Sequence, residues 1–338
     1  MALTLNELAK VSTDPLEKAV LVDLLRQSDL FKILPVKTVP GLKVKATRWQ
    51  TLPTVATRKI GAGYTANEGK LEQVEETLHI YGGDIQIDRV LGLDKTVIED
   101  PFITHTQMKV KAMATKFTLD FINGDHGVDP DGYEGLKKRL TNLPARMTID
   151  LGSDSLKVLA SAATENTFLD AMHDADKRVG GANAWLMNET SYLGFGKVLR
   201  RLGLMDTAQD NYERVWDMFK RGKLVDVGLQ SDQTTEIITD TEDPGDAGND
   251  SSSIYAVRFG TSDAEADPAN IQEQMESGDD GLYCIQLGGT SPTPYDPLNG
   301  GEQEAIPSKL RRIDWVVGLQ QKGSYSICRI KGFKMAAS

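Results

Sequence analysis

Residues 43–91 read KVKATRWQTLPTVATRKIGAGYTANEGKLEQVEETLHIYGGDIQIDRVL, and a few residues later comes PFITHTQMKVKAMATKFTLDFIN at 101–123. The first limb, 43–60, is rich in β-branched residues with imperfect alternation and predicts a strand. Gly61 and Gly63 bracket Ala62, and YTANEGK then turns the chain. The second limb, 71–91, runs back. Its Gly82–Gly83 pair marks a bulge or a close backbone approach. Ile85 and Ile87 alternate with Asp84, Gln86 and Asp88, the period-2 signal of a half-buried strand. The two limbs together predict a long hairpin whose outer part carries Thr, Lys, Arg and Glu. An isolated two-stranded ribbon is marginal in water. Such a ribbon is hard to explain inside a compact domain and easy to explain as an arm laid on another surface.

The stretch 101–123 is the clearest helix. Asp100 suits an N-cap, Pro101 the first helical position and Gly124 the C-terminal stop. Val110, Met113, Phe117 and Phe121 recur at spacings of three and four and form one apolar stripe. Lys109 and Lys116 share another face. They read either as ordinary solubilising charges or as a basic face toward packaged nucleic acid.

Upstream, DPLEKAVLVDLLRQ (14–27) predicts a short amphipathic helix. Leu16, Val20 and Leu24 form its stripe, with little neighbouring sequence to bury it. Downstream, NTFLDAMHDADKRV (166–179) predicts a helix with Phe168, Met172 and Val179 inward, ended by Gly180–Gly181. ANAWLMN (182–188) predicts a buried strand and residues 190–203 a third helix. Strand patterns follow at 215–229, 254–260 and 281–289, around polar loops such as TDTEDPGDAGNDSSS (239–253). The ending RRIDWVVGLQQKGSYSICRIKGF (311–333) predicts a strand pair turning at Lys322–Gly323. No internal repeat is visible.

A chain of 338 residues exceeds what one core usually serves, so two lobes or one domain with extensions are expected. No apolar run approaches the length that spans a bilayer, and Met1–Lys10 lacks the pattern of a secretory signal. Charge is segregated. Leu224–Ala305 holds 18 acids against the single base Arg258, a net −17, which leaves +6 for the rest of a chain whose total is −11. Either this is a solvated acidic surface, or the two parts face different partners. Cys284 and Cys328 sit in strand-like runs and read as buried small apolar residues, with a disulfide between them left open.

Catalytic motifs are missing. His79, His105, His126 and His173 are scattered, without ligand spacing to one another or to a Cys. There is no GxSxG, GxxxxGK[ST], HExxH or CxxC pattern, and Gly61-Ala62-Gly63 is no dinucleotide fingerprint. Asp129, Asp131 and Glu134 in GDHGVDPDGYEGL (124–136) invite a calcium reading, but the twelve-residue ligand loop is absent, so a structural turn is expected. No cofactor and no enzymatic activity are expected.

The order of these parts resembles the major capsid proteins of tailed bacteriophages, the Hong Kong 97-type fold. Residues 62–94 resemble its outer loop, 101–123 its spine helix, 167–199 the helix, strand and helix of its central body, and 314–333 its closing strands. The resemblance implies an α+β subunit with an N-terminal arm (1–42), an extended β-hairpin loop (43–91), a peripheral domain (92–169 and 306–338) holding the spine helix, and an axial domain (170–305). It implies pentamers and hexamers closing an icosahedral shell around phage double-stranded DNA, a virion location and assembly in the host bacterial cytoplasm, with no membrane contact. Because the sequence begins almost at the arm, a separate scaffolding protein is expected, or a segment lost upstream; a portal protein and a decoration protein are further implied partners. Intersubunit contacts are expected from Arg58, Lys59, Gly61, Gly63, Glu68 and Gly69 in the loop and from Leu16, Val20 and Leu24 in the arm. An encapsulin-like nanocompartment shares the fold and is the nearest alternative; a soluble enzyme is the rival from another class. Lys59 and Lys70 lie where some relatives form Lys–Asn cross-links, but no Asn or Glu partner is identifiable.

Overall fold

The computed structural model describes residues 3–4, 22, 28–88, 90, 101–152, 156–204, 206–209, 215–242, 251–260, 281–288, 292, 294–298, 307–323 and 325–336. The helix expected over 14–27, with Leu16, Val20 and Leu24, lies outside the described residues.

The helix of the opening stretch spans Pro101–Asn123, as Pro101 and Gly124 predict; the expected cap Asp100 lies outside the described residues. Its stripe is buried: Val110, Met113, Phe117 and Phe121 are inside, joined by Phe102, Ala114 and Ile122. Phe117 sits at the centre of an aromatic cluster, with ring centroids 5.0 Å from Phe31, 5.3 Å from Trp315 and 5.7 Å from Tyr133. Burying a Phe of this kind is worth about 3–5 kcal/mol against Ala.

Beneath this helix lies the first sheet. It comprises β1 (Leu3–Thr4), β2 (Pro35–Val39), β5 (His79–Asp88), β13 (Leu282–Leu287), β14 (Pro294–Tyr295) and β15 (Ser308–Gln321). β5 pairs antiparallel with β15 from Asp88–Ser308 to His79–Val317. Its alternation is the one the sequence shows: Ile85 and Ile87 are buried, while Asp84, Gln86 and Asp88 are exposed. Gly82 is a close approach, since a Cβ there would fall 1.9 Å from the Ile313 carbonyl oxygen.

The second sheet has the order β6 (Thr148–Asp150), β16 (Ile327–Lys334), β12 (Ser252–Val257), β8 (Ala184–Met187), β11 (Gly222–Asp226), β10 (Val215–Phe219) and β9 (Asp206–Gln209), with β7 (Leu156–Lys157) also on β16. β8 is parallel to β11 and antiparallel to β12, and all four of its residues are buried. Helices Ala162–Val179 and Glu189–Leu202 flank it. The first begins four residues before the expected 166, because Ser161 and Thr164 form a reciprocal capping box. The second is capped by the buried Asn188, whose Oδ1 accepts from the Ser191 amide.

Two expectations are corrected. The loop does not run as one hairpin over 43–91. β3 (Lys43–Thr51) pairs with β4 (Lys70–Thr77) as a separate two-stranded ribbon, and the chain passes into the first sheet at Leu78. The closing strands β15 and β16 exist, but they do not pair with each other. Both are largely buried, and each finds partners in a different sheet, so the chain passes from one sheet to the other between Gln321 and Ile327. β13 and β14 accordingly lie with β15, and β16, β6 and β7 lie with β8 and β12. Cys284 and Cys328 therefore stand in separate sheets, both buried and unbonded. Burial pushes both thiols up, Cys328 to about 12.

Candidate functional site

The ribbon is the part of the molecule that its own chain leaves uncovered. Every residue from Thr51 to Gln73 is exposed. Val55 and Ile60 are as open as in an extended chain, at 96% and 105%, and Leu52, Tyr64 and Leu71 are also exposed. Scattered exposed apolar residues are ordinary, but several within one projecting segment mark a contact surface.

The tip nevertheless has local order. The Ala62 amide donates to the Lys59 carbonyl at 3.1 Å, closing a turn that places Gly61 in the left-handed region at φ 87°. Arg58 donates to the Ala62 carbonyl at 3.1 Å and lies over the Tyr64 ring at 5.1 Å. Across the ribbon, Asn67 donates to the Thr54 carbonyl at 2.9 Å. Gly69 is a close approach, since a Cβ there would come 2.9 Å from the Thr51 carbonyl oxygen. Gly63 has neither constraint: its φ is ordinary and nothing lies within 4 Å of its Cβ direction. Among the described residues, Arg58, Lys59 and Glu68 form no ion pair. Their charges are available to a neighbour, although exposed pairs are worth only about 0–1 kcal/mol and act more on register than on strength.

The ribbon's root is built differently. The Leu78 amide donates to the Leu42 carbonyl at 2.9 Å where the two limbs meet the body. Val39, Leu78, Ile285 and Val316 form a small core there, separate from the main one. Helix Leu136–Thr141 contributes Arg139, whose guanidinium grips the Glu76 carboxylate through two bonds of 2.5 and 2.8 Å. Arg139 also donates to the Glu134 and Leu319 carbonyls. With side chains 6% and 12% exposed, this is a buried, fork-on-carboxylate pair, the geometry that gives such contacts their strength. Beside it is a cavity of about 330 Å³ lined by Glu76, His79, His126, Tyr133, Glu134 and Arg139, among others. The His79 and His126 rings lie 6.0 Å apart. Sequence spacing gave no hint of either pairing, because the partners come from separate elements.

The spine lysines have local partners. Lys116 lies 2.9 Å from Asp120 and 3.5 Å from Asp129. Asp120 also accepts from the Tyr81 hydroxyl at 2.6 Å, and burial together with that carboxylate pushes the phenol up. Lys109 lies against Gly83 and helps hold Asp84 below the usual carboxylate range, behind the larger effect of Arg312. A polyanion at this face would have to compete with those carboxylates. In the turn segment, Asp125 and Asp129 accept from the Gly127 and Asp131 amides, the geometry of structural turns.

Comparison with solved structures places the whole architecture. An encapsulin complex of Synechococcus elongatus superposes with a TM-score of 0.59 at 10% identity, over 90% of this chain and 87% of that one. A structure of Mycobacterium phage Bobi gives 0.55 at 10% identity, over 90% and 89%. The capsid of a native GTA particle gives 0.53 at 13% identity, over 91% of both chains. No family model matches the sequence, and no curated protein matches it. The chain has the Hong Kong 97-type fold.

Proposed function

We propose that the chain is a major capsid protein of a tailed bacteriophage, which assembles as pentamers and hexamers into an icosahedral shell around double-stranded DNA. The observation that carries this reading is the ribbon segment Thr51–Gln73, exposed throughout and carrying the open Val55 and Ile60, attached to a body with the fold of shell-forming proteins. Obligate interfaces commonly bury upwards of about 2,000 Å². A projecting ribbon supplies such area without enlarging the core, and many weak contacts become durable when they act together. In this reading the ribbon lies on an adjacent subunit. The arm with Leu16, Val20 and Leu24 reaches another, and residues 170–305 face the capsomer centre. Scaffolding, portal and decoration proteins belong to the same proposal, as does assembly in the host cytoplasm. Among the described residues no helix is long and apolar enough to cross a membrane.

The likeness to an encapsulin supports a second reading, a nanocompartment shell built on the same fold. Purified particles separate the two. Shells packaged in the presence of phage proteins and filled with double-stranded DNA support the first reading; shells that form from this chain alone and hold protein cargo support the second.

A further inference from the structure

We propose that the root of the ribbon is a proton-gated hinge, in which His79, packed beside His126, holds the ribbon against the body while neutral and loosens it when protonated. β3 and β4 form a sheet only with each other, and among the described residues their attachment to the body includes the two chain links, the Leu78–Leu42 bond, the small core of Val39, Leu78, Ile285 and Val316 with Val44 packed against it, and the Arg139–Glu76 pair. Residue 79 is the first of β5, one position past that junction. His79 and His126 both border the cavity beside the ion pair. His79 Nε2 is 3.1 Å from Thr77 Oγ1, and His126 Nδ1 is 3.1 Å from the Gly132 carbonyl; His79 also bonds to the Asp131 backbone, so it bridges the ribbon root and the turn that carries His126.

The charged groups around the rings come from three elements. β4 brings Glu75, paired with Lys43 at 2.6 Å, and Glu76, already held by Arg139. The turn after the spine helix brings Asp129, Asp131 and Glu134, with Asp125 held by Lys138 at 3.1 Å. Helix Leu136–Thr141 brings Arg139 itself, and β15 brings only the neutral Gln321. Four of these six carboxylates, Glu75, Glu76, Asp125 and Asp129, are thus already matched by cations. A proton on His79 adds positive charge to a cavity that contains the Arg139 guanidinium. Burial is the largest influence on His79 and lowers its proton affinity; a hydrogen bond to the Asp131 backbone comes next and opposes it, His126 acts with burial, and the Asp131 and Asp129 charges oppose it.

The sign follows. The closed root binds a proton less readily than the open one, so closure is favoured above the ordinary imidazole range near pH 6.5 and weakens as pH falls through and below it. The hinge is a property of the single chain and stands whether or not the chain forms shells.

Hydrogen exchange on the unassembled full-length chain tests it, comparing amides of residues 71–79 with those of β8 as an internal reference, from pH 7.5 to pH 5. Opening of 71–79 relative to β8 is expected to rise by up to about tenfold for each pKa unit separating the closed and open states. His79→Gln with His126→Gln is expected to keep β8 protected and to flatten that response. An unchanged response in the double variant, or a flat response in the parent chain, overturns the hinge. Should the double variant fail to fold, His126→Gln alone decides, because this ring is exposed: a smaller response supports the hinge and an unchanged one overturns it.

Discussion

The spine helix and the ribbon differ in where their stability resides. Pro101–Asn123 buries its stripe against aromatic residues from four other segments: Phe31, Tyr81, Tyr133 and Trp315. The ribbon between Thr51 and Gln73 buries nothing within its own chain. A helix that buries apolar surface is stable by itself; a ribbon of two exposed strands gains comparable burial only from another molecule. The contrast separates changes that should unfold the chain from changes that should leave it folded and unable to assemble.

Phe117→Ala should lower the stability of the unassembled chain by about 3–5 kcal/mol, because it empties the centre of the aromatic cluster; denaturant unfolding measures it. Arg139→Met should cost a similar or slightly smaller amount, about 3 kcal/mol, since it removes the two-pronged guanidinium contact to the half-buried Glu76 carboxylate. Its effect should concentrate at the ribbon root, raising exchange of residues 71–79 far more than that of β8. Replacing Val55 and Ile60 together with Ser should change the unfolding free energy by less than about 0.5 kcal/mol yet abolish shell formation seen by electron microscopy. Loss of stability without loss of assembly there would break the comparison. Gly61→Val should behave like the tip changes, because the strain of a left-handed valine is confined to an exposed turn.

The smallest effect concerns a buried acid away from both regions. Burial raises the proton affinity of Asp226 above the ordinary carboxylate value, with a smaller opposing effect from the Gly228 amide and small reinforcement from Glu189 and Asp29. Its charged form therefore costs stability at neutral pH, and that cost fades as pH falls through the raised pKa. Asp226→Asn should raise the melting temperature slightly at pH 7, with the gain vanishing under acid conditions that protonate the parent residue.

The legible parts of the fold were those written locally. Pro101 and Gly124 bracket the spine helix, and Ile85 and Ile87 alternate with polar residues; such signals depend on neighbours a few positions apart. The separation of β15 from β16 was not legible. The short Lys322–Gly323 link between two apolar runs looks the same whether the runs pair or part. The tip was legible as exposed because its composition is polar and glycine-rich. The Arg139–Glu76 and His79–His126 pairings were not, since each joins residues distant in sequence and no local period encodes them. The cap at Ser161 left a readable Ser-x-x-Thr trace, which a search restricted to acidic or amide third positions passes over.

The most direct test of the account is electron microscopy of the full-length chain, expressed with its neighbouring gene products, beside a form whose tip residues 54–66 are replaced by a short glycine link. The account predicts closed shells of uniform size for the first, and folded but unassembled chains for the second. Shells from the tip-deleted chain, or no shells from the intact chain under any of these conditions, would contradict it.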